Sequence, residues 1–219
     1  MLVSPPSFVA FRGLLTLIAL LLTSANVTAQ GSDSIGWFVV DLRGSIAPFG
    51  QNVALAVDRG FDPTITPGTG LGLDAGANVY FYRWRVITFG VGTSFHTSVA
   101  DRPAQETDLG QTGPTLRKKF TTVAPQLSFN FGGPNGWSYL SGGVGSSRLS
   151  LFSHDGAEPD QRNTNTVNYG GGARWFAREH LAFSLDLRFY SLSPLEQTET
   201  KPGSPRMTLM VLSIGASFK

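Results

Sequence analysis

The chain has 219 residues, a formal net charge of +2 and no cysteine; only 15% of its residues are charged, while glycine reaches 26 and phenylalanine 16. This length suits one domain or one barrel. The apolar content excludes disorder, Arg117-Lys118-Lys119 as the only basic cluster leaves no nucleic-acid footprint, and the lack of cysteine removes disulfides, thiolate metal sites and thiol nucleophiles.

A mean hydropathy of +0.01 argues against a polytopic helical membrane protein. At the N-terminus Arg12 precedes the apolar run Gly13 to Leu22, and Val27-Thr28-Ala29 follows. This order predicts a secretory signal over 1–29, cleaved after Ala29. The apolar run is about 10 residues, short of the roughly 20 that a spanning helix needs. The mature chain, 30–219, is then expected to be one barrel.

From Gly36 onward the residues alternate with the period of two that marks a β-strand. The first segment, Gly36 to Ala47, sets Phe38, Val40, Leu42 and Ile46 against Val39, Asp41, Arg43 and Ser45. The second, Gly70 to Tyr82, sets Leu71, Leu73, Val79 and Phe81 against Asp74, Asn78 and Tyr80. The third, Val86 to Val99, sets Ile87, Phe89, Val91 and Phe95 against Thr88, Ser94, His96 and Ser98. In the fourth, Lys118 to Phe131, the apolar residues Val123, Leu127, Phe129 and Phe131 oppose Thr122, Gln126, Ser128 and Asn130. Pro125 removes a ladder donor there and predicts a bulge or kink. The fifth, Trp137 to Leu151, is rich in Gly and Ser, and its parity stays open because Arg148 suits neither face. A bulge near Gly143 would account for it.

The sixth segment, Thr166 to Phe176, sets Val167, Tyr169, Ala173 and Trp175 against Asn168, Gly170, Gly172 and Arg174. The seventh, Leu181 to Phe189, carries the clearest alternation: Leu181, Phe183, Leu185, Leu187 and Phe189 are apolar, with Asp186 and Arg188 between them. The eighth runs from Arg206 to Phe218. Tight turns at Arg83-Trp84-Arg85, Gly132 to Gly136 and Ala177-Arg178-Glu179 alternate with long polar connections, Pro48 to Thr69, Ala100 to Arg117, Ser153 to Asn165 and Ser193 to Pro205. Strict alternation brings every long loop to one end of an antiparallel up-and-down sheet. The expected fold is all-β, an eight-stranded transmembrane barrel with short inner turns and longer external loops.

A soluble cup with an apolar interior also has eight antiparallel strands, and the polar face decides between the two. Asp41, Arg43, Asp74, Arg174, Asp186 and Arg188 share the parity opposite the large apolar residues, three of each sign. A wall facing water would carry abundant Lys and Glu. Small residues with balanced Asp and Arg suit a narrow interior, which in an eight-stranded barrel side chains can fill. These six are therefore expected to form a lumenal ion-pair network. Trp37, Trp84, Trp137 and Trp175 all fall near the short-turn end and predict an interfacial aromatic belt, joined by Tyr82, Phe131, Tyr139 and Phe218.

The stretch from Gly170 through Arg174, Glu179, Asp186 and Arg188 to Tyr190 resembles the penultimate hairpin of small bacterial outer-membrane barrels of the OmpA-like and opacity-type porin family. Trp137 to Gly145 is similar to that family's fifth strand. The resemblance implies a barrel-only member in the outer membrane of a Gram-negative cell, monomeric and in contact with lipid and lipopolysaccharide. It also implies recognition by the barrel assembly machinery through the C-terminal strand, although Phe218 is penultimate here and Lys219 follows it. It carries no cofactor.

Three functions then compete: a structural or adhesive surface protein with a plugged lumen, a narrow pore, and a lipid A-modifying enzyme. The enzyme reading rests on His96 and Ser98, similar to the pair used by lipid A deacylases, but both share the lumenal parity, whereas a lipid-cleaving site must open to the bilayer. His154 with Asp155, and His180 with Glu179, are too dispersed to hold a metal. Asp58, Asp62, Asp101, Glu106 and Asp108 read as solvated loop charge. No catalytic or metal residue is expected.

Overall fold

The computed structural model describes residues 35–104, 114–153, 162–199 and 201–219; the expected signal segment lies outside them, as do His154, Asp155, Glu106 and Asp108. Eight strands close into a barrel in sequence order: β1 (Phe38–Pro48), β2 (Thr69–Trp84), β3 (Ile87–Arg102), β4 (Leu116–Gly133), β5 (Gly136–Ser153), β6 (Thr164–Arg178), β7 (Leu181–Leu192) and β8 (Met207–Phe218). Every neighbouring pair is antiparallel, and β1 pairs with β8 from Val40 opposite Phe218 to Ile46 opposite Leu212. No edge remains unpaired, which a sheet in lipid requires.

Two-residue turns at 85–86, 134–135 and 179–180 join the strands at one end, and connections 49–68, 103–115, 154–163 and 193–206 join them at the other. The first long connection carries a short helix, α1 (Val53–Val57), capped by the Asn52 side chain on the Leu55 amide, and a 3-10 turn, Pro63–Ile65. Several strands run further toward the long-loop end than their sequence alternation indicates. Leu116, Thr164 and Ser153 all lie in ladders, because backbone pairing there does not depend on an apolar face.

The wall has the expected sidedness. Leu42, Leu71, Leu73, Val79, Val123, Leu127, Leu140, Val167, Phe183 and Ile214 are exposed on the outside, a band that water would not tolerate at this size. Inside, Asp41, Arg43, Asp74, Arg174, Asp186 and Arg188 are all buried.

The fifth strand is regular. Trp137, Tyr139, Ser141, Ser147 and Leu149 face inward, and Leu140, Val144 and Arg148 face outward. The bulges expected at Pro125 and near Gly143 do not form: Val123 lies opposite Ser146 and Gln126 opposite Gly143, with no change of register across the break. Glycine explains the continuity. A Cβ on Gly143 would stand 1.9 Å from the Pro125 oxygen, and one on Gly145 would stand 2.2 Å from the Val123 oxygen, so the two strands close tightly where the proline donor is missing. Register shifts occur instead between Tyr80 and Tyr82 and between Phe176 and Arg178, beside the tight turns. Arg148 lies beyond the apolar band and hydrogen-bonds Asn163, which resolves its awkward place in the sequence.

Candidate functional site

The lumen is layered. At its middle, Asp41 of β1 takes a bidentate grip from Arg174 of β6, with Nε on Oδ1 at 2.8 Å and Nη2 on Oδ2 at 2.6 Å. Arg43, two residues along the same inward face, reaches Asp41 at 2.8 Å and Asp74 of β2 at 2.7 Å. Its Nε donates to Ser184 Oγ at 3.1 Å, and its Nη2 to the Tyr139 hydroxyl at 3.2 Å. Tyr139 in turn donates to Asp186 Oδ2 at 2.6 Å. Asp186 is paired with Arg188 of its own strand, whose guanidinium also donates to Gln126, Asn168 and Ser141. Ser217 donates to Asp41 as well.

All six sequence-predicted charges thus meet in one buried cluster with no formal excess of either sign. Balance and hydrogen bonding are what a buried charge demands, since an uncompensated ion in a low-dielectric interior costs several kcal/mol, on the order of the penalty for one desolvated ion. A planar guanidinium meets a carboxylate edge in the Arg174 pair, and lies face-on to the Tyr139 ring with Cζ 4.0 Å from its centroid. The cavity left among these side chains is about 10 Å³ and is bordered by Asp74, Asn78, Ser94, Gln126 and Arg174. That is near the size of a single water.

Two apolar layers flank the polar one. Toward the long loops, Phe49, Leu55, Phe120, Tyr190, Leu209 and Val211 pack together with Ala47, Ala100, Leu149 and Leu192. Phe49 and Leu55 come from the first long connection, which therefore folds into the mouth. Lys118 Nζ donates to the Gly50 oxygen at 3.2 Å, Arg59 donates to the Gly203 oxygen at 3.0 Å, and Arg102 donates to the Thr64 oxygen at 2.7 Å. Toward the short turns, Ile35, Val39, Tyr80 and Trp137 form a second layer with Phe176. Lys219 closes over it, its Nζ 4.0 Å from the Phe176 centroid and bonded to the Pro134 oxygen. Burial lowers the Lys219 ammonium below its ordinary pKa, with the Glu179 charge opposing the shift.

The aromatic belt needs one correction. Trp37, just before β1, is 70% exposed, and Trp84 and Trp175 are 53% and 44% exposed on the outer wall, but Trp137 is 3% exposed and lies in the lumen, stacked on Phe176 at 4.9 Å. Tyr139, expected beside it in the belt, is the hydroxyl that bridges Arg43 and Asp186. Both errors share one cause: the parity of the fifth strand was open, and tryptophans near a turn read as interfacial. Regular alternation against Leu140 and Val144 was the available signal. Lys118, Gln126 and Asn168 also belong to the lumen, and the alternation of β4 and β6 placed the latter two there.

His96 and Ser98 are hydrogen-bonded, Nε2 to Oγ at 3.1 Å, and fully buried. His96 stacks on Tyr190 at 5.9 Å, while its Nδ1 meets no carboxylate. No path to the bilayer reaches them through the closed β2–β3–β4 wall. His180 sits at the opposite end, 3.1 Å from the Lys219 main-chain oxygen and exposed. Among the described residues no three His, Asp or Glu side chains group as metal ligands would.

No protein-family profile and no curated protein matches the sequence. Solved structures do. Neisserial surface protein A superposes with a TM-score of 0.50 at 13% identity, covering 83% of this chain and 96% of that one. The fold is that of the small outer-membrane barrels. The attachment invasion locus protein of Yersinia pestis, at 14% identity and TM-score 0.41, covers 83% of this chain and 95% of its own. Outer membrane protein OprG of Pseudomonas aeruginosa, at 12% and 0.43, covers 86% and 97%. With a closed ladder and an outward apolar band, the barrel is a protein of the bacterial outer membrane.

Proposed function

We propose that the barrel is a structural or surface-interaction protein, adhesin-like, with a largely plugged lumen and no catalytic activity. The observation that carries this reading is the filled interior: a charge-balanced layer between two apolar ones, with a cavity of about 10 Å³. Nothing in such a lumen is placed to select or pass a solute. What remains free to vary is the set of four longer connections at one end, and recognition in rigid scaffolds is carried by such loops. The protein works as a monomer, needs no cofactor, is seated in lipid and lipopolysaccharide, and reaches the membrane through the assembly machinery acting on β8.

The test is loop trimming. Replacing 103–115 and 154–163 by tight turns is expected to leave a heat-modifiable, membrane-inserted barrel while abolishing attachment of producing cells to host-cell or abiotic surfaces. Attachment that survives trimming contradicts the reading. For the enzymatic alternative, mass spectrometry of lipid A from producing cells is expected to show no new species; a shift lost in His96→Ala would overturn the non-catalytic assignment.

A further inference from the structure

One buried charge above the mid-lumen network is left unbalanced by it. Lys118, turned inward by the alternation of β4, is fully buried at the outer mouth. Among the described residues no carboxylate pairs with it: its ammonium donates to the Gly50 main-chain oxygen at 3.2 Å and lies 5.5 Å from the Phe49 ring centroid. The neighbouring charge that acts on it is a second cation, Arg59. A buried cation ordinarily has an anion beside it, because desolvating an unpaired charge is costly.

The apolar layer at this level is closed by a side chain from outside the barrel wall. Phe120, Tyr190, Leu209 and Val211 belong to strands, and Leu55 reaches them from the first long connection, with Phe49 beside it. Of α1, only Leu55 and Ala56 are buried, while Val53 and Val57 are exposed. Glycines bound the inserted stretch. Gly50 and Gly60 have φ of +61° and +72°, and a Cβ on either would meet nothing within 4 Å, so both ends are free to turn. In the same layer the Tyr190 hydroxyl is buried and has no hydrogen-bond partner among the described residues. An apolar lining with an unpaired ammonium, stoppered by one leucine on a segment flanked by glycines, has the make-up of a pocket for an anion with a hydrocarbon tail.

We propose that the outer mouth binds a single-chain amphiphile of the fatty-acid class: its carboxylate pairs with Lys118, and its chain takes the place of Leu55 against Phe120, Tyr190, Leu209 and Val211. Residues 51–59 are then a stopper, held here by Arg59 on the Gly203 oxygen and the Ser204 hydroxyl, that lifts as the ligand enters. One chain fits where one leucine does. The mid-lumen charge layer stays shut beneath, so the ligand is held at the outer end and not passed. The surface-interaction role stands or falls by attachment, this site by binding.

Displacement of dansyl-labelled undecanoate, a fluorescent fatty-acid probe, from the purified full chain in lipid nanodiscs tests it, with the signal of empty nanodiscs subtracted. Dodecanoate, dodecanol and dodecyltrimethylammonium are the competitors. For wild type, dodecanoate is expected to displace the probe at a concentration about tenfold below either of the others, the factor that one charge-assisted contact supplies. Lys118→Met is expected to lose that preference and Lys118→Arg to keep it, which separates charge from packing. Leu55→Ser is expected to raise the apparent affinity for dodecanoate about tenfold, because the ligand then competes with a weaker stopper. Adsorption to the outer wall would not respond to that change. No saturable probe binding, equal displacement by dodecanol or by the cation, a preference kept by Lys118→Met, or an unchanged affinity in Leu55→Ser overturns the site. Heat-modifiability of each variant is scored in parallel, and the three competitors on wild type decide alone where a variant fails to fold.

Discussion

Asp41 is the most heavily engaged carboxylate in the lumen, gripped by Arg174 and Arg43 and capped by Ser217. Asp41→Ala leaves two buried guanidinium groups short of a partner and is expected to cost about 3–5 kcal/mol in urea unfolding from lipid vesicles. Replacing the pair together, Asp41→Leu with Arg174→Met, is expected to cost less than the single change, because no unpaired charge remains. Trp137 offers a second contrast. Trp137→Ala empties an inward site between Phe176 and Tyr80 and is expected to cost about 3–5 kcal/mol, clearly more than the outward Trp84→Ala. In the first long connection, Asp62 accepts hydrogen bonds from the Thr64 amide and hydroxyl, which hold its carboxyl below the ordinary pKa. A carboxylate lowered by folding lends stability above its ordinary pKa and loses it as pH falls through the folded value. The protection of the 62–66 amides, taken relative to their intrinsic exchange at each pH, is therefore expected to fall only on acidification below the ordinary carboxylate range.

At the scale of the strand, alternation made most of the wall legible, because a residue's parity settles whether it meets lipid or lumen. Leu181 to Phe189 shows it plainly, and so does the gathering of Asp74 from β2 with Arg174 and Asp186 from β6 and β7 in one lumenal cluster. Parity failed where side chains were too small to vote. In β5 the run Ser141 to Ser147 holds little apolar contrast, so nearness to a turn alone puts Trp137 and Tyr139 in the expected belt, and Arg148 suits neither face. Pro125 misled for a different reason: a missing donor predicts a bulge only if the partner strand must detour, and Gly143 and Gly145 let it come closer instead. This gives a test within one ladder. Gly143→Ala is expected to destabilise the barrel by about 1–3 kcal/mol, since its Cβ would meet backbone, while Gly133→Ala, which meets nothing within 4 Å, is expected to be neutral in the same unfolding assay.

At the scale of the whole molecule, strand number, topology and the end carrying the long loops followed from the alternation of short and long connections. The layered interior did not. Phe49 and Leu55 sit in a polar connection whose inward fold depends on Lys118, Arg59 and Arg102 reaching main-chain oxygens far away in sequence, and no local pattern encodes such contacts. The lower layer likewise depends on Ile35 and Lys219, residues at the margins of the strand pattern. Together the layers turn a ring of alternating strands into a packed body whose six mid-lumen charges are matched. Planar-bilayer recording tests this most directly. The purified chain is expected to insert without producing discrete conductance steps; reproducible steps in wild type, altered in size by substitution of Arg43 or Asp186, would contradict the filled lumen.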